Sequence, residues 1–305
     1  VLVGLTLRRQ ERVAQDQRRI AETKQREAVA ERATALRESA RAALSRGDLV
    51  EARAKVRIAL EIGDAALTRS LWHRLQRHRY WWRKQLGAAI FSLAYARDGR
   101  TLAVATAGQT VHLFDHRTGG ERVLRGHHDQ VTAVALSPDG RFAVSGSRGG
   151  ELRLWDLSTG RVRVLRAKGN MVWGLAVRPD SGLLAAGSDD GRVRLWALPN
   201  GKPAGELQIK GQGAARSVAF SPDGKHLAVG GNAKVVHVWD VARRQVVKRL
   251  AGPTKSSRSV TYSPDGKLVA AGCYDRTVRV WDVATGKLRR TFTGHRGPVM
   301  VVRFH

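Results

Sequence analysis

The sequence predicts an all-β fold of five repeated four-stranded units preceded by an α-helical segment, and two recurring landmarks carry this prediction. An aspartate in a turn recurs at intervals of 41, 41, 43 and 42 residues, at Asp98, Asp139, Asp180, Asp223 and Asp265. A strand-ending aromatic recurs at the same intervals, at Phe114, Trp155, Trp196, Trp239 and Trp281. Two independent landmarks in one register indicate a repeat architecture.

The residues around each landmark have the chemistry of short strands joined by tight turns. Ser-Pro-Asp-Gly occupies 137–140, 221–224 and 263–266. In such a turn proline presets φ, aspartate bonds to nearby backbone, and glycine adopts a positive φ. The flanking segments 131–136, 142–145 and 152–155 are rich in Val, Leu and aromatic residues, which suit a pleated sheet. A second turn in each repeat, such as Ser-Thr-Gly at 158–160, leads to a fourth strand.

With these landmarks, residues 79–305 resemble the WD40 repeat family. The match comprises five complete repeats and the start of a sixth. The resemblance implies a β-propeller, here as an open, truncated arc of five blades. We also expect a strand over 80–86, which precedes the first repeat at the place where a preceding blade would have its fourth strand.

The resemblance also implies a buried hydrogen-bond set inside each blade, joining a Gly-His histidine, a strand Ser or Thr, a turn Asp and the Trp. The second repeat supplies His127, Ser145 and Trp155, but Gly149 stands where the aspartate is expected. No repeat has the whole set, so we expect stability to depend more on apolar packing. His127 and His295 are expected to be structural.

The first 78 residues predict helices. Residues 5–46 contain no Gly or Pro, are rich in Ala, Arg, Glu and Gln, and predict a long polar helix with only a thin coiled-coil seam. Residues 47–78 predict a helical hairpin similar to tetratricopeptide-like repeats, with breaks at Gly47 and Gly63. The apolar run over residues 1–7 has two interpretations, either the remnant of a membrane span or an ordinary helix start. Residues 1–46 therefore form the first predicted segment.

The net charge of +28 favours anionic partners such as acidic proteins, nucleic acid or anionic lipid. The competing explanation is an arginine-rich composition, because Arg outnumbers Lys by 42 to 12. No run of five consecutive Lys or Arg occurs, which argues against a dedicated nucleic-acid arm. The single Cys273 excludes an intramolecular disulfide framework and is expected to be a packing residue.

Catalytic motifs are not found in the sequence. It has no phosphate-binding loop, no paired zinc histidines, no kinase catalytic loop and no nucleophile elbow. The carboxylates occupy turn positions that already explain them. We therefore predict that this chain is not an enzyme, with no cofactor and no metal site, although a full-length protein could carry an upstream kinase or nucleoside triphosphatase domain.

The leading functional hypothesis is a scaffold that binds partner proteins or peptides, with acidic peptides favoured, on one face of the propeller. The alternative is the regulatory C-terminal part of a membrane-anchored bacterial serine/threonine kinase or signal-transduction ATPase, which this order of segments resembles. We expect a bacterial protein that is either membrane-associated or cytoplasmic, and the sequence leaves open on which side of the membrane the chain lies. A nucleic-acid-binding propeller depends on charge alone and is the weakest hypothesis.

Two columns of residues are predicted to line the binding face, because each recurs at one position of the repeats. The first column follows the start of the first strand, at Phe91, Thr132, Trp173, Arg216, Arg258 and Met300. The second precedes the tight turn after the second strand, at Ala107, Arg148, Asp189, Asn232 and Tyr274. The predicted partner-binding residues are Phe91, Arg148, Trp173, Asp189, Arg216, Asn232, Arg258, Tyr274 and Met300, with Trp173 as apolar anchor and arginines as charge-assisted donors. The competing interpretation is that Phe91 and Trp173 fill the central channel.

Overall fold

The computed structural model describes residues 2–45, 49–62, 68–69, 71, 84–115, 118–166, 171–208, 211 and 213–304. The chain divides into two compact units, Val1–Gln85 and Leu86–His305. The second unit begins at residue 86, whereas the predicted start of the propeller at residue 79 lies outside the described residues. The strand expected over 80–86 falls mostly outside the described residues, and residues 84–86 form no strand.

The first unit is helical. Helix α1 spans Leu2–Ser45 and helix α2 spans Leu49–Ile62. The two helices pack through small side chains, since Ala40, Ala43 and Ala52 are fully buried beside Val56. The described side chains before residue 33 of α1 are exposed, which fits a polar helix. Among the described residues, no helix has an apolar stretch long enough to span a bilayer. Much of the predicted hairpin after residue 62 lies outside the described residues.

The second unit consists of five antiparallel four-stranded sheets, called blades 1 to 5 in chain order, as predicted. Blade 1 contains β1 (Ile90–Tyr95), β2 (Thr101–Thr106), β3 (Thr110–Asp115) and β4 (Glu121–Arg125). Blade 2 contains β5 (Val131–Leu136), β6 (Phe142–Ser147), β7 (Glu151–Asp156) and β8 (Val162–Arg166). Blade 3 contains β9 (Val172–Val177), β10 (Leu183–Ser188), β11 (Arg192–Ala197) and β12 (Lys202–Gln208). Blade 4 contains β13 (Ala215–Phe220), β14 (His226–Gly231), β15 (Val235–Asp240) and β16 (Gln245–Ala251). Blade 5 contains β17 (Ser257–Tyr262), β18 (Leu268–Cys273), β19 (Val278–Asp282) and β20 (Leu288–Phe292).

The apolar core lies between neighbouring blades. The first strands β1, β5, β9, β13 and β17 contact one another in that order, so they are the innermost strands. The strand-ending aromatics are at most 6% exposed, and these are Phe114, Trp155, Trp196, Trp239 and Trp281. Their equivalent burial confirms the repeat register predicted from the sequence.

Glycine near the end of the second strand allows this close packing of blades. A Cβ at Gly146 would lie 2.5 Å from Val172 of the next blade, and one at Gly187 would lie 2.5 Å from the Ala215 carbonyl oxygen. Neither position has room for a side chain, so the glycines set the distance between the blades.

The turn aspartates behave as the sequence predicts. In all five blades the carboxylate accepts the backbone N–H two residues later, at 2.8 to 3.0 Å. In blade 4 the hydrogen bond from Ser221 is the main cause that lowers the pKa of Asp223. This bond from the side chain to the backbone two residues later is that of an Asx turn, and it accounts for the aspartate without a catalytic role.

Serines on the first strands join neighbouring blades at their inner edges. Ser92 accepts the Val134 N–H at 3.3 Å, and Ser217 accepts the Val260 N–H at 3.0 Å. Ser259 accepts the N–H of Val302 at 3.1 Å. The start of the sixth repeat thus takes the place of a further first strand, although it has no strand hydrogen-bond pattern of its own.

A candidate binding surface on the top face

The loops before each first strand and the loops between second and third strands lie on one rim of the blades, here called the top face. Each first strand has a β-bulge near this rim. Its pairing skips one residue, for example from Ile90 to Ser92 in β1. The skipped residues are Phe91, Thr132, Trp173, Arg216 and Arg258. A bulge re-aims the side chain of the extra residue, so this predicted column shares one backbone geometry.

The second column is held beside the first by a repeated backbone hydrogen bond. The Asp189 N–H donates to the Met171 carbonyl, two residues before the bulged Trp173, at 3.0 Å. The same bond, at 2.8 to 3.0 Å, is made by Ala107, Arg148, Asn232 and Tyr274 in their own blades. The two columns are therefore adjacent in every blade.

Trp173 is the centre of a contact network on this face. Its indole Nε1 donates to Asp189 Oδ1 at 2.9 Å. The central guanidinium carbon of Arg216 lies 4.2 Å from the indole centroid, within the range of a cation–π interaction. Arg216 Nε also donates to Asn232 Oδ1 at 2.7 Å, which fixes the guanidinium orientation.

Arg258 extends the network from blade 5. Its guanidinium carbon lies 5.1 Å from the Trp173 ring and 5.1 Å from the Tyr274 ring. Burial is the main cause that lowers the pKa of Arg258, and the nearby charge of Arg216 lowers it further. Blades 3, 4 and 5 thus meet in one Trp173 cluster, which consists of Trp173, Asp189, Arg216, Asn232, Arg258 and Tyr274.

The Trp173 cluster holds more positive charge than it neutralises. Within the described part of the chain, neither Arg216 nor Arg258 forms an ion pair with a carboxylate. The one carboxylate of the cluster, Asp189, accepts the indole N–H of Trp173.

The other predicted site residues lie apart from this cluster. Phe91 and Met300 are 50% and 48% exposed, and Arg148 contacts Gln130 at 3.5 Å. No hydrogen bond or ring contact joins these three to the Trp173 cluster in the described ranges. Thr132, also in the first column, is buried and donates to the Val172 carbonyl oxygen, so its side chain is not accessible on the top face.

Blade 2 contains the buried polar set that the sequence predicts. His127 Nε2 lies 2.7 Å from Ser145 Oγ, which also accepts the Trp155 indole N–H at 2.8 Å. Glu151 Oε1 lies 3.3 Å from His127 Nδ1, close to the place of the carboxylate that Gly149 lacks, but the two atoms form no hydrogen bond. Burial lowers the pKa of His127 to about 4, so the imidazole is neutral at pH 7. In contrast, His295 is exposed, and its expected structural role stays a prediction.

Blade 3 uses an ion pair in place of a histidine. Arg194 is 7% exposed and donates to Asp190 at 2.5 Å and to Ser188 at 2.8 Å. Burial favours a higher pKa for Asp190, but hydrogen bonds from Arg194 and Ser188 lower it overall. Blade 5 has an equivalent ion pair, in which Arg279 Nη1 lies 2.6 Å from Asp275 Oδ2.

Sequence reasoning missed the column that produces these pairs. A basic or imidazole side chain stands two residues before each strand-ending aromatic, at His112, Arg153, Arg194, His237 and Arg279. Residues i and i+2 of a strand share a face, so these side chains lie on the same face as the buried aromatic. The recurrence was readable in the sequence. Apolar packing is therefore supplemented by ion pairs, which the expectation that stability depends more on apolar packing did not include.

A cleft of about 920 Å³ opens on the opposite rim between blades 3 and 4. Its carboxylates are bonded locally, since Asp180 accepts from Arg178 at 2.8 Å and Asp223 accepts from Ser221 at 2.5 Å. Within the described ranges, no group of three or more His, Cys, Asp or Glu residues could hold a metal ion. The Cys273 thiol is buried, as expected for a packing residue.

Radial four-stranded blades with a buried third-strand aromatic define this unit as a propeller-type repeat protein. The family of WD40 repeats, described as "WD domain, G-beta repeat", matches residues 121–156, 160–197, 202–240 and 244–282. The array over residues 121–282 therefore belongs to the WD40 repeat family. Each match runs from the outer strand of one blade to the third strand of the next, so blade 1 is reached only through β4.

A curated relative covers a much smaller part of the chain. A 50-residue segment is 42% identical to the general transcriptional corepressor TUP1 of Saccharomyces cerevisiae. The segment covers 16% of this chain and 6% of that protein. WD40 repeat domains generally act as non-enzymatic scaffolds for protein interactions. The resemblance to bacterial kinases and ATPases is not supported by these matches and stays a prediction.

Proposed function

We propose that this chain is a non-catalytic interaction module that binds an acidic peptide segment of a partner protein at the Trp173 cluster. The observation that carries the proposal is the convergence of Arg216 and Arg258 on one indole, with no carboxylate of the described residues paired to either guanidinium. Bulge positions in three blades supply Trp173, Arg216 and Arg258. Side chains from separate repeats thus converge on one small surface.

The contacts suit the two arginines for binding. Asn232 fixes Arg216, and the ring of Tyr274 holds Arg258 against Trp173. Ordering these long side chains in advance lowers the entropy cost of binding. The indole is already in contact with both guanidiniums, so its proposed part is to position the cations as well as to provide apolar area.

The charge of the unit supports an acidic partner. Residues 87–305 contain 34 Lys and Arg against 16 Asp and Glu, an excess of 18 positive charges. Such a field attracts acidic segments over long distances and speeds their encounter. The Trp173 cluster then provides the short-range charge-assisted bonds.

Selection of peptides on the purified chain tests the proposal. Random displayed peptides are selected on the wild-type chain, and their affinities are compared for Trp173→Ala, Arg216→Ala and Arg258→Ala. We expect selected peptides to be rich in Asp and Glu and to bind each variant about 30-fold more weakly, equivalent to roughly 2 kcal/mol.

Arg161→Ala is the matched control, because this exposed arginine lies in the third-to-fourth-strand turn of blade 2 and its loss changes the charge equally. Thermal unfolding checks that each variant is folded. Peptides that bind all three cluster variants as tightly as wild type would move the site elsewhere.

We also propose, as the alternative, that the chain is the regulatory part of a membrane-linked signalling protein. What supports it is the order of apolar N-terminal residues, a 44-residue helix and a WD40 array. Expression of the chain in bacteria with and without residues 1–7, followed by membrane fractionation, tests the anchor. Equal recovery of both forms in the soluble fraction would contradict it.

A further inference from the structure

We infer that the Trp173 cluster recognises a doubly charged oxyanion, the phosphate of a phosphorylated side chain, in preference to carboxylates. This inference rests on the proposed function and specifies the chemical group that the partner presents. Three properties of the cluster support it: its unused donors, its excess of positive charge and the short distance between its two cations.

The unused donors are guanidinium N–H groups. Arg216 uses Nε for Asn232, and both of its Nη groups have no protein acceptor among the described residues. Arg258 makes ring contacts only, with no hydrogen bond to the described protein. An arginine has five N–H donors in a planar fork, which match the oxygens of carboxylate or phosphate.

The charge of the cluster distinguishes these two ligands. Arg216 and Arg258 carry two positive charges, and Asp189, the one carboxylate of the cluster, is bonded to the Trp173 indole N–H and paired with neither guanidinium. A phosphorylated side chain carries close to two charges and three acceptor oxygens at one point, whereas one carboxylate carries a single charge and two oxygens. Two carboxylates could supply the same charge only from two separate side chains.

The short distance between the two cations favours a ligand whose negative charge is concentrated on one group. Both guanidinium carbons lie near one indole centroid, at 4.2 and 5.1 Å, so they are at most about 9 Å apart. Arg258 is half-buried, and electrostatic attraction is stronger where water is partly excluded. A tetrahedral oxyanion bound between the two forks would contact both of them.

The rest of the molecule offers no equivalent arrangement within the described ranges. The basic residues of the lower-rim cleft are interspersed with aspartates, as with Arg178 beside Asp180. The buried arginines of the blades are paired, as Arg194 is with Asp190 and Arg279 with Asp275. The cluster differs because its arginines face solvent without acidic partners.

Three small probes test the inference directly. They are N-acetyl-phosphoserine amide, N-acetyl-glutamate amide and the N-acetyl-diglutamate amide, titrated at pH 7.5 and constant ionic strength. Binding is followed by the NMR signal of the Trp173 indole N–H, assigned with Trp173→Phe. We expect phosphoserine to bind at least about tenfold more tightly than diglutamate, which carries the same charge on two carboxylates.

Variants establish where the probe binds. Arg216→Ala and Arg258→Ala should each weaken phosphoserine binding at least about tenfold, and Arg216→Lys should also weaken it, because lysine keeps the charge but loses the fork. Arg161→Ala should leave the affinity unchanged. If a variant does not fold, the lysine variant provides the comparison.

The possible outcomes are distinct. Equal affinity for phosphoserine and diglutamate overturns the phosphate inference and leaves the acidic-peptide proposal intact. Tighter arginine-dependent binding of a thymidine octanucleotide than of phosphoserine overturns it in favour of phosphodiester recognition. If no probe binds, the inference is wrong, and the peptide selection separately decides the proposed function.

Discussion

Blades 2 and 3 have the same buried tryptophan at the end of the third strand but brace the surrounding polar groups differently. Blade 2 uses a neutral imidazole, with His127 and Trp155 sharing Ser145. Blade 3 uses a buried ion pair between Arg194 and Asp190. The buried tryptophan is thus compatible with either chemistry, a histidine from the loop before the first strand or an arginine on the third strand, although His127 Nδ1 and Arg194 Nε have no hydrogen-bond partner among the described residues.

The two solutions differ in their response to pH. His127 has a lowered pKa, so its neutral form stabilises the fold above the unfolded value of roughly 6.5, and stability is lost as the pH falls towards 4. Asp190 also has a lowered pKa, but a carboxylate keeps its contribution until the pH falls below its usual value of about 4. Blade 2 should therefore weaken first on acidification.

The largest expected effect is the loss of the ion pair of blade 3. Arg194→Ala removes the cation that Asp190 and Ser188 bond in a largely buried place, and we expect a loss of about 3–5 kcal/mol in the free energy of unfolding. Urea denaturation measures it. Arg192→Ala on the same strand is the control, because its pair with Glu206 is partly exposed and should contribute less than about 1 kcal/mol. Equal losses would show that the buried pair has no special role.

A comparable effect should appear in blade 2 as a function of pH. A pKa shift from 6.5 to about 4 corresponds to roughly 3 kcal/mol of stability lost between those pH values. His127→Asn should remove this part of the pH dependence while lowering stability at pH 7. His237, whose pKa is also lowered by burial, should provide the slope that remains. An unchanged slope in the variant would assign the dependence to other groups.

The smallest of the three effects is expected for the shared acceptor of blade 2. Ser145→Ala removes the partner of both the Trp155 indole and His127, and we expect a loss of about 1–3 kcal/mol. Ser158→Ala is the control, since its hydroxyl bonds Asp156 at the exposed turn and its loss should be under about 0.5 kcal/mol. Chemical denaturation at pH 7.5, where His127 is neutral, measures both. If the two losses match, the buried set does not brace the blade.

Local patterns made the fold predictable from the sequence. The turn aspartates and strand-ending aromatics depend on neighbours within a few residues, so their spacing gave the blades and their register. The burial of the first strands could not be predicted from such local patterns. Leu93 and Tyr95 of β1 are 56% and 58% exposed, whereas Val260 and Tyr262 at the same positions of β17 are 1% and 7% exposed. The difference depends on whether a preceding blade packs against the strand.

The candidate site was predictable only as two columns of positions. The repeat register placed Trp173, Arg216 and Arg258 at one position, and the structure brings them together. It leaves Phe91 and Met300 apart, because contacts between side chains of different blades depend on their length and direction. The Glu151 contact with His127 was equally hidden, since a carboxylate two residues after the expected turn position reaches the imidazole through the strand geometry.

The β-bulges of the first strands separate the residues that hold the sheets and blades together from the residues that lie on the top face. The bulged residue takes no part in the register of its sheet, as the pairing from Ala215 to Ser217 past Arg216 shows. A substitution there leaves the hydrogen-bonded ladder intact, while the neighbouring serine and glycine positions keep the blades together. Except at the buried Thr132, such residues can change independently of the scaffold. The array is therefore suited to acquire new binding specificities, one repeat at a time, on a constant framework.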